Sequence, residues 1–226
     1  MPAFVQPSSL FLQHILRLSG NRDIRFECLS ENTRRNIRKA CNDGVLVRRE
    51  DNADGMKEFY RLHCMTRKRH GVPPPPFRFF QKIVEHVLER GYGRLLLASL
   101  GETVIAGAFY ILYGDRAVYK YGASDPRFMG HGANHSLMWE AITLFASEGY
   151  YELHFGRTDQ EDEGLRRFKK SWGASETPLA YYRYDLDRNR FISGIEPRGR
   201  SSRKLLSKMP VPFLRVTGGI LYRHIG

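Results

Sequence analysis

An α/β domain built on a mostly antiparallel central sheet flanked by helices is predicted for this chain of 226 residues. Three observations predict it. Two stretches with apolar residues at helical spacing lie between short β-rich runs. Three β-rich runs then follow one another across two-residue, glycine-led turns. Beyond them, helical and strand patterns alternate to about residue 185.

Ser30 is suited to cap a helix running through Arg34, Arg35, Ile37, Arg38 and Lys39, and Gly44 stands where a glycine stops one. A short strand over 45–48 follows. Met56, Phe59, Tyr60, Leu62, His63 and Met65 recur at helical spacing, and four prolines at 73–76 break the chain before a second amphipathic helix over 77–89. Residues 94–100, 103–112 and 116–123 form a meander through turns at Gly101-Glu102 and Gly114-Asp115. A loop over 124–133 leads to a helix over 134–147, a strand over 151–155, a short helix over 163–170 and a closing strand over 178–185.

Composition narrows the function. With 42% hydrophobic residues the chain can bury a core, and its longest apolar stretch, 103–113, falls short of the roughly 20 residues of a membrane span. The first sixteen residues lack a positive n-region and a cleavage site, so a cytoplasmic location, or one at the inner face of the membrane, is expected. Three cysteines without C-x-x-C spacing fit neither a disulfide framework nor a thiolate site, and His63, His70 and His86 lack ligand spacing, so no metal is expected. A net charge of +12 either attracts phosphates, anionic lipid or nucleic acid, or serves solubility alone.

Four ordered stretches carry a family resemblance: 32–40 (NTRRNIRKA), 67–76 (RKRHGVPPPP), 121–140 (YGASDPRFMGHGANHSLMWE) and 155–173 (FGRTDQEDEGLRRFKKSWG). Together they resemble the FemAB family, whose peptidyltransferases move an amino acid from aminoacyl-tRNA to an amine of a peptidoglycan precursor. The element order is that of the GNAT acyltransferase fold. The resemblance implies a GNAT-like domain over 31–185, equivalent to the C-terminal half of a FemAB protein. Residues 1–30 would then be a linker or the remnant of a missing N-terminal GNAT-like half, and 186–226 a basic tail. Within that tail, 213–225 is read either as a docking segment or as a peripheral membrane contact. The helical arm that some family members insert, one proposed tRNA contact, is absent.

Amide formation from an activated ester or thioester needs a neutral amine held against the carbonyl, stabilisation of the oxyanion and exclusion of water. No nucleophilic side chain is required, and neither a G-x-S-x-G elbow nor a Cys–His arrangement is seen. The resemblance links catalysis to the lysine of a Gly-Leu-x-x-Phe-Lys motif, here Gly164, Leu165, Phe168 and Lys169. Lys169 is therefore the expected catalytic cation; alternatively, it and Lys170 only offset a helix C-terminal dipole. Asp159 is a candidate base, although with Glu161, Asp162 and Glu163 it also stands where carboxylates favour a helix N-terminus.

Arg34, Arg35, Arg38 and Lys39 form a stripe suited to phosphates, or a solvated basic face. Tyr119 and Tyr121 alternate along one strand and are expected to share a face, with Tyr121 and Ser124 at the site and Tyr119 explained by packing alone. Asn134 and His135 open the next helix, Asn134 being equally an N-cap. Arg157 and Phe168 complete the substrate-binding set. The strand end with Tyr121 and the helical turn with Lys169 are expected to converge on one cleft. Arg127, Gly130 and Gly132 match the R-x-x-G-x-G pattern by which acetyl-CoA-dependent GNAT enzymes place backbone amides around pyrophosphate.

The expected function is acyl or aminoacyl transfer to an amine of a peptidoglycan or cell-envelope precursor, nucleotide- or lipid-linked. The alternatives are an acetyl-CoA-dependent N-acyltransferase and a non-catalytic basic binding module. No tightly bound cofactor is expected; the donor is aminoacyl-tRNA or acyl-CoA, and tRNA is an expected partner.

Overall fold

The computed structural model describes residues 5–18, 22–192 and 203–222. The elements in chain order are β1 (Ser9–Arg17), α1 (Arg22–Glu27), α2 (Glu31–Asn42), β2 (Val45–Arg49) and α3 (Ala53–Arg69). Next come α4 (Phe77–Ile83), running into a π-helical turn (Val84–Leu88), then β3 (Gly93–Leu100), β4 (Thr103–Tyr113) and β5 (Arg116–Ser124). A 3-10 segment (Pro126–His131) precedes α5 (Ala133–Ser147), β6 (Glu152–Thr158), α6 (Glu163–Lys170) and β7 (Ser175–Tyr181). A hairpin of β8 (Arg183–Asp185) and β9 (Arg190–Ile192), then α7 (Arg203–Lys208) and α8 (Val211–Leu221), complete the described chain.

Local chemistry sets the boundaries. Ser30 Oγ accepts from the Thr33 N–H at 3.2 Å at the start of α2, and Gly44, at φ +81°, turns the chain out of its end. Asp162 caps α6 by accepting from the Leu165 N–H at 3.0 Å.

Seven strands form one sheet in the order β2-β3-β4-β5-β6-β1-β7, antiparallel except where β5 meets β6. Alternation along the strands sends Leu96, Ala98 and Tyr110 to one face and Leu95, Leu97 and Phe109 to the other. The first face packs against α2 and α5 through Ile37, Leu137, Ile142 and Phe145; the second packs against α3 and α4 through Met56, Phe59, Leu62 and Phe80. This is the helix-flanked, mostly antiparallel sheet expected from the sequence.

Two expectations need correction. Residues 9–17, read as part of a linker, form β1, which lies between β6 and β7 and buries Phe11 and His14. Its partners lie some 140 to 170 positions away, so no local pattern announces it. The closing strand over 178–185 is two strands in different sheets, because β7 ends at Tyr181. The tail docks on α3 through α7 and α8; its residues 193–202 and 223–226 lie outside the described set.

Candidate functional site

The site lies where two neighbouring strands part. β5 and β6 pair only over residues 116–118 against 152–154, so beyond Val118 the β5 edge has no strand partner. An unpaired edge offers N–H and C=O groups to an extended ligand. Beside it lies a cleft of about 440 Å³, lined by Tyr119, Gly122, Ser124, Asn134, His135 and Phe168.

A bulge decides which tyrosine faces this cleft. Phe109 stands opposite Tyr121 and Tyr110 opposite Tyr119, leaving Lys120 without a counterpart. The extra residue puts Tyr119 and Tyr121 on opposite faces, contrary to the shared face expected from alternation. Tyr119 packs on Tyr110, with ring centroids 5.5 Å apart, and burial pushes its pKa up to about 12. Its hydroxyl lies over Gly122, where a Cβ would stand 1.7 Å from it. Tyr121 instead joins His63, Phe80 and Phe109 beneath α3 and α4.

Lys169 is buried, 2% exposed, and its Nζ donates to Thr158 Oγ1 at 2.7 Å and to the Gly156 carbonyl at 3.0 Å. The Thr158 hydroxyl lies 3.4 Å from His14 Nδ1, and His14 Nε2 lies 3.0 Å from Glu176 Oε2. Because an ammonium can only donate, Thr158 accepts from it and directs its own O–H to Nδ1; His14 then carries its proton on Nε2 and donates to Glu176. Arg166, at 2.9 Å, and Lys170, at 2.8 Å, hold Glu176 and pull its pKa down to about 2. Burial pulls Lys169 down to about 8.

Tyr121 and Lys169 therefore do not converge. What strand and helix bring to the cleft is Tyr119 and Phe168, while Lys169 turns toward β6. Asp159 is exposed in the loop after β6 and does not line the cleft. Arg157 lies over the rings of Phe11 at 4.6 Å and Tyr181 at 5.2 Å, on the β1 and β7 side. In the basic stripe, Arg35 donates to Asn32, Arg38 covers Phe26 and Lys39 pairs with Asp43. Arg34 is half-buried, its Nε without a hydrogen-bond partner. None of the four lines the cleft.

Ser124, Asn134 and His135 do line it. Asn134 is not the cap of α5; Gly132 is, at φ +66°. Helix-start N–H groups lack intrahelical acceptors, and here they stand at the cleft. His135 packs against Phe168 and Trp172, and burial lowers its pKa, so the imidazole is neutral at neutral pH. Gly130 faces open space; Arg127 is bound to the buried Asp125 carboxylate at 2.7 Å. His131 Nδ1 ties this loop to Asp43 at 2.7 Å.

The sequence did not signal the α3 side of the cleft. Thr66, Arg69 and His70 line it, and Thr66 Oγ1 accepts from the Ser124 N–H at 3.1 Å, fixing the end of β5. Sequence 67–76 carried motif residues, but nothing local places the end of α3 against a strand some 58 positions on.

A parallel strand pair that splays beside a helix N-terminus, with a cleft at the freed edge, is the architecture of an N-acyltransferase domain. The chain belongs to the acetyltransferase (GNAT) domain family, whose model matches residues 29–170. Over 174 residues it is 24% identical to the UDP-N-acetylmuramoylpentapeptide-lysine N(6)-alanyltransferase of Weissella viridescens, covering 75% of this chain and 50% of that protein. Its fold matches the crystal structure of FemX with a TM-score of 0.67 at 20% identity, covering 78% of this chain and 61% of that one. It also matches AAC(6')-Iy in complex with a CoA bisubstrate analogue, with a TM-score of 0.51 at 16% identity, covering 63% and 99%. The Fem-like resemblance of the motifs thus returns in sequence and in fold. The chain spans about half the length of the curated relative it matches.

Proposed function

We propose that this domain catalyses acyl or aminoacyl transfer to an amine acceptor of the cell-envelope precursor class. The carrying observation is the parting of β5 from β6 beside the cleft. An extended donor can pair with the free β5 edge and present its carbonyl near Tyr119, Gly122 and Ser124. The neutral His135 imidazole is chemically able to take a proton from an ammonium acceptor. Lys169 holds Gly156 and Thr158, and so the course of β6 at the parting, rather than touching the reacting atoms. The Weissella relative, named for alanyl transfer to a lysine of a muramoylpentapeptide, makes such a precursor the acceptor to try first.

The test is turnover with alanyl-tRNA or acyl-CoA and UDP-N-acetylmuramoyl-pentapeptide, read by mass. A product heavier by one acyl or aminoacyl group supports transfer. Salt-sensitive binding without any product would favour the basic binding module instead.

A second reading, CoA as donor, is favoured by the loop holding Gly130 and Gly132 before α5, where a phosphate can meet helix-start N–H groups. Micromolar acetyl-CoA binding by calorimetry supports it; silence with CoA alongside transfer from charged tRNA overturns it.

A further inference from the structure

α8 is fixed to the domain by one face and leaves the other to solvent. Leu214 is 1% exposed, and a Cβ on Gly218 would stand 1.9 Å from the Pro74 carbonyl oxygen, so the helix backbone rests on the proline run. Arg67 donates to the Tyr222 hydroxyl at 3.1 Å, and Arg215 lies over the Tyr60 ring at 5.3 Å. On the opposite face, Phe213, Val216 and Ile220 fall at i, i+3 and i+7 and are 65%, 64% and 59% exposed. Surface helices place polar side chains there. Phe79 of α4, whose neighbour Phe77 borders the same groove as Pro212, Arg215 and Val216, is exposed as well.

The sequence of the tail that carries α8 has charge of one sign. From Arg198 to the last residue there are seven Lys or Arg and no Asp or Glu; on α4, Arg78 is a further cation, while Lys82 pairs with Glu85. An apolar stripe on a segment whose only charged residues are cations matches a partner that is anionic at its surface and apolar beneath. With eleven residues, α8 is too short to cross a bilayer, so it would lie on one.

We propose that the outward face of α8 binds the surface of an anionic lipid bilayer, with Phe213, Val216 and Ile220 in the acyl boundary and the flanking cations at the headgroups. This holds whatever the cleft transfers. The test is flotation of the full chain with vesicles of phosphatidylcholine alone and of phosphatidylcholine with phosphatidylglycerol, at low and high salt.

The expected result is binding to the phosphatidylglycerol vesicles that weakens with salt. A triple variant, Phe213→Ser with Val216→Ser and Ile220→Ser, should lose that binding by about tenfold or more. Its thermal melt should be unchanged, because all three side chains face solvent. Absence of binding to either vesicle, or equal binding by the triple variant, overturns the proposal. So does sedimentation showing a wild-type dimer that the triple variant abolishes, since a second copy would then cover the face.

Discussion

The ammonium of Lys169 donates to the Thr158 hydroxyl at 2.7 Å, with both side chains almost fully buried. Lys169→Met removes the cation but leaves Thr158 Oγ1 and the Gly156 carbonyl without that donor. The lost donor costs about 1 to 3 kcal/mol, but at neutral pH release of the buried ammonium offsets it, so little net change in urea unfolding is expected. Thr158→Val, which keeps the ammonium and also cuts the link to His14, should cost about 1 to 3 kcal/mol. If Lys169 acts only by holding β6, transfer in the Met variant falls through the apparent affinity for donor, with kcat little changed. A fall in kcat alone would return Lys169 to the reacting atoms.

The same residue predicts an alkaline limb. Its pKa is lowered from 10.5 to about 8 in the folded chain, so between these values the unfolded chain binds more protons and stability rises with pH. Below about pH 8 the cost of burying the ammonium is present in full. Lys169→Met should flatten this limb. An NMR titration of labelled lysine Nζ should find one resonance with a midpoint near 8; a midpoint near 10.5 for every lysine would defeat the prediction.

The order of helices and strands from α2 to α6 was legible because each element carries its own period and its own stops, Ser30 and Gly44 among them. The bulge at Lys120 was not, since a one-residue shift in pairing leaves the local sequence unchanged yet moves Tyr121 to the other face. β1 is not legible for a related reason: His14 and Phe11 look unremarkable until Thr158, Glu176 and Tyr181 surround them. The cleft residues near α5 lie in sequence motifs, whereas Thr66, Arg69 and His70 line the cleft only through tertiary packing.

His63 predicts an acid-sensitive core. It is buried against Phe59, Phe80 and Tyr121, neither ring nitrogen has a hydrogen-bond partner, and burial lowers its pKa from 6.5 to about 3. As pH falls from 6.5 toward 3, the unfolded chain takes a proton that the folded chain refuses, and stability drops. His63→Leu removes two unsatisfied polar atoms at similar volume. A gain of about 1 kcal/mol at pH 7 is expected. The gain should grow at pH 5, and a denaturant series at the two pH values would reveal it.

Gly218→Ala sets two effects against each other. Alanine favours a helix interior by about 1 kcal/mol over glycine. The new methyl, however, would meet the Pro74 carbonyl oxygen at 1.9 Å, backbone that cannot turn aside. The clash should win and lift α8 from α3, exposing Leu214 and making the C-terminal helix the first site of limited proteolysis. Gly219→Ala, with nothing within 4 Å of its Cβ, is the control and should resist cleavage like the wild type.

Gly130→Asp separates the two donors. A Cβ at this position meets nothing within 4 Å, and the residue precedes the start of α5 in a loop tied down by Asp125 with Arg127 and by His131 with Asp43. The fold should therefore accept the change, with an unaltered melt. If the R-x-x-G-x-G loop cradles a phosphate, a carboxylate at this position opposes it by like charge. If CoA is the donor, its affinity should fall by about tenfold or more, since losing one favourable phosphate contact and gaining one repulsion exceeds about 1.4 kcal/mol. Transfer from charged tRNA that never needed this loop would proceed at the wild-type rate. Unchanged CoA binding in a correctly folded variant would mean that the glycine pattern before α5 is a connector and not a phosphate cradle.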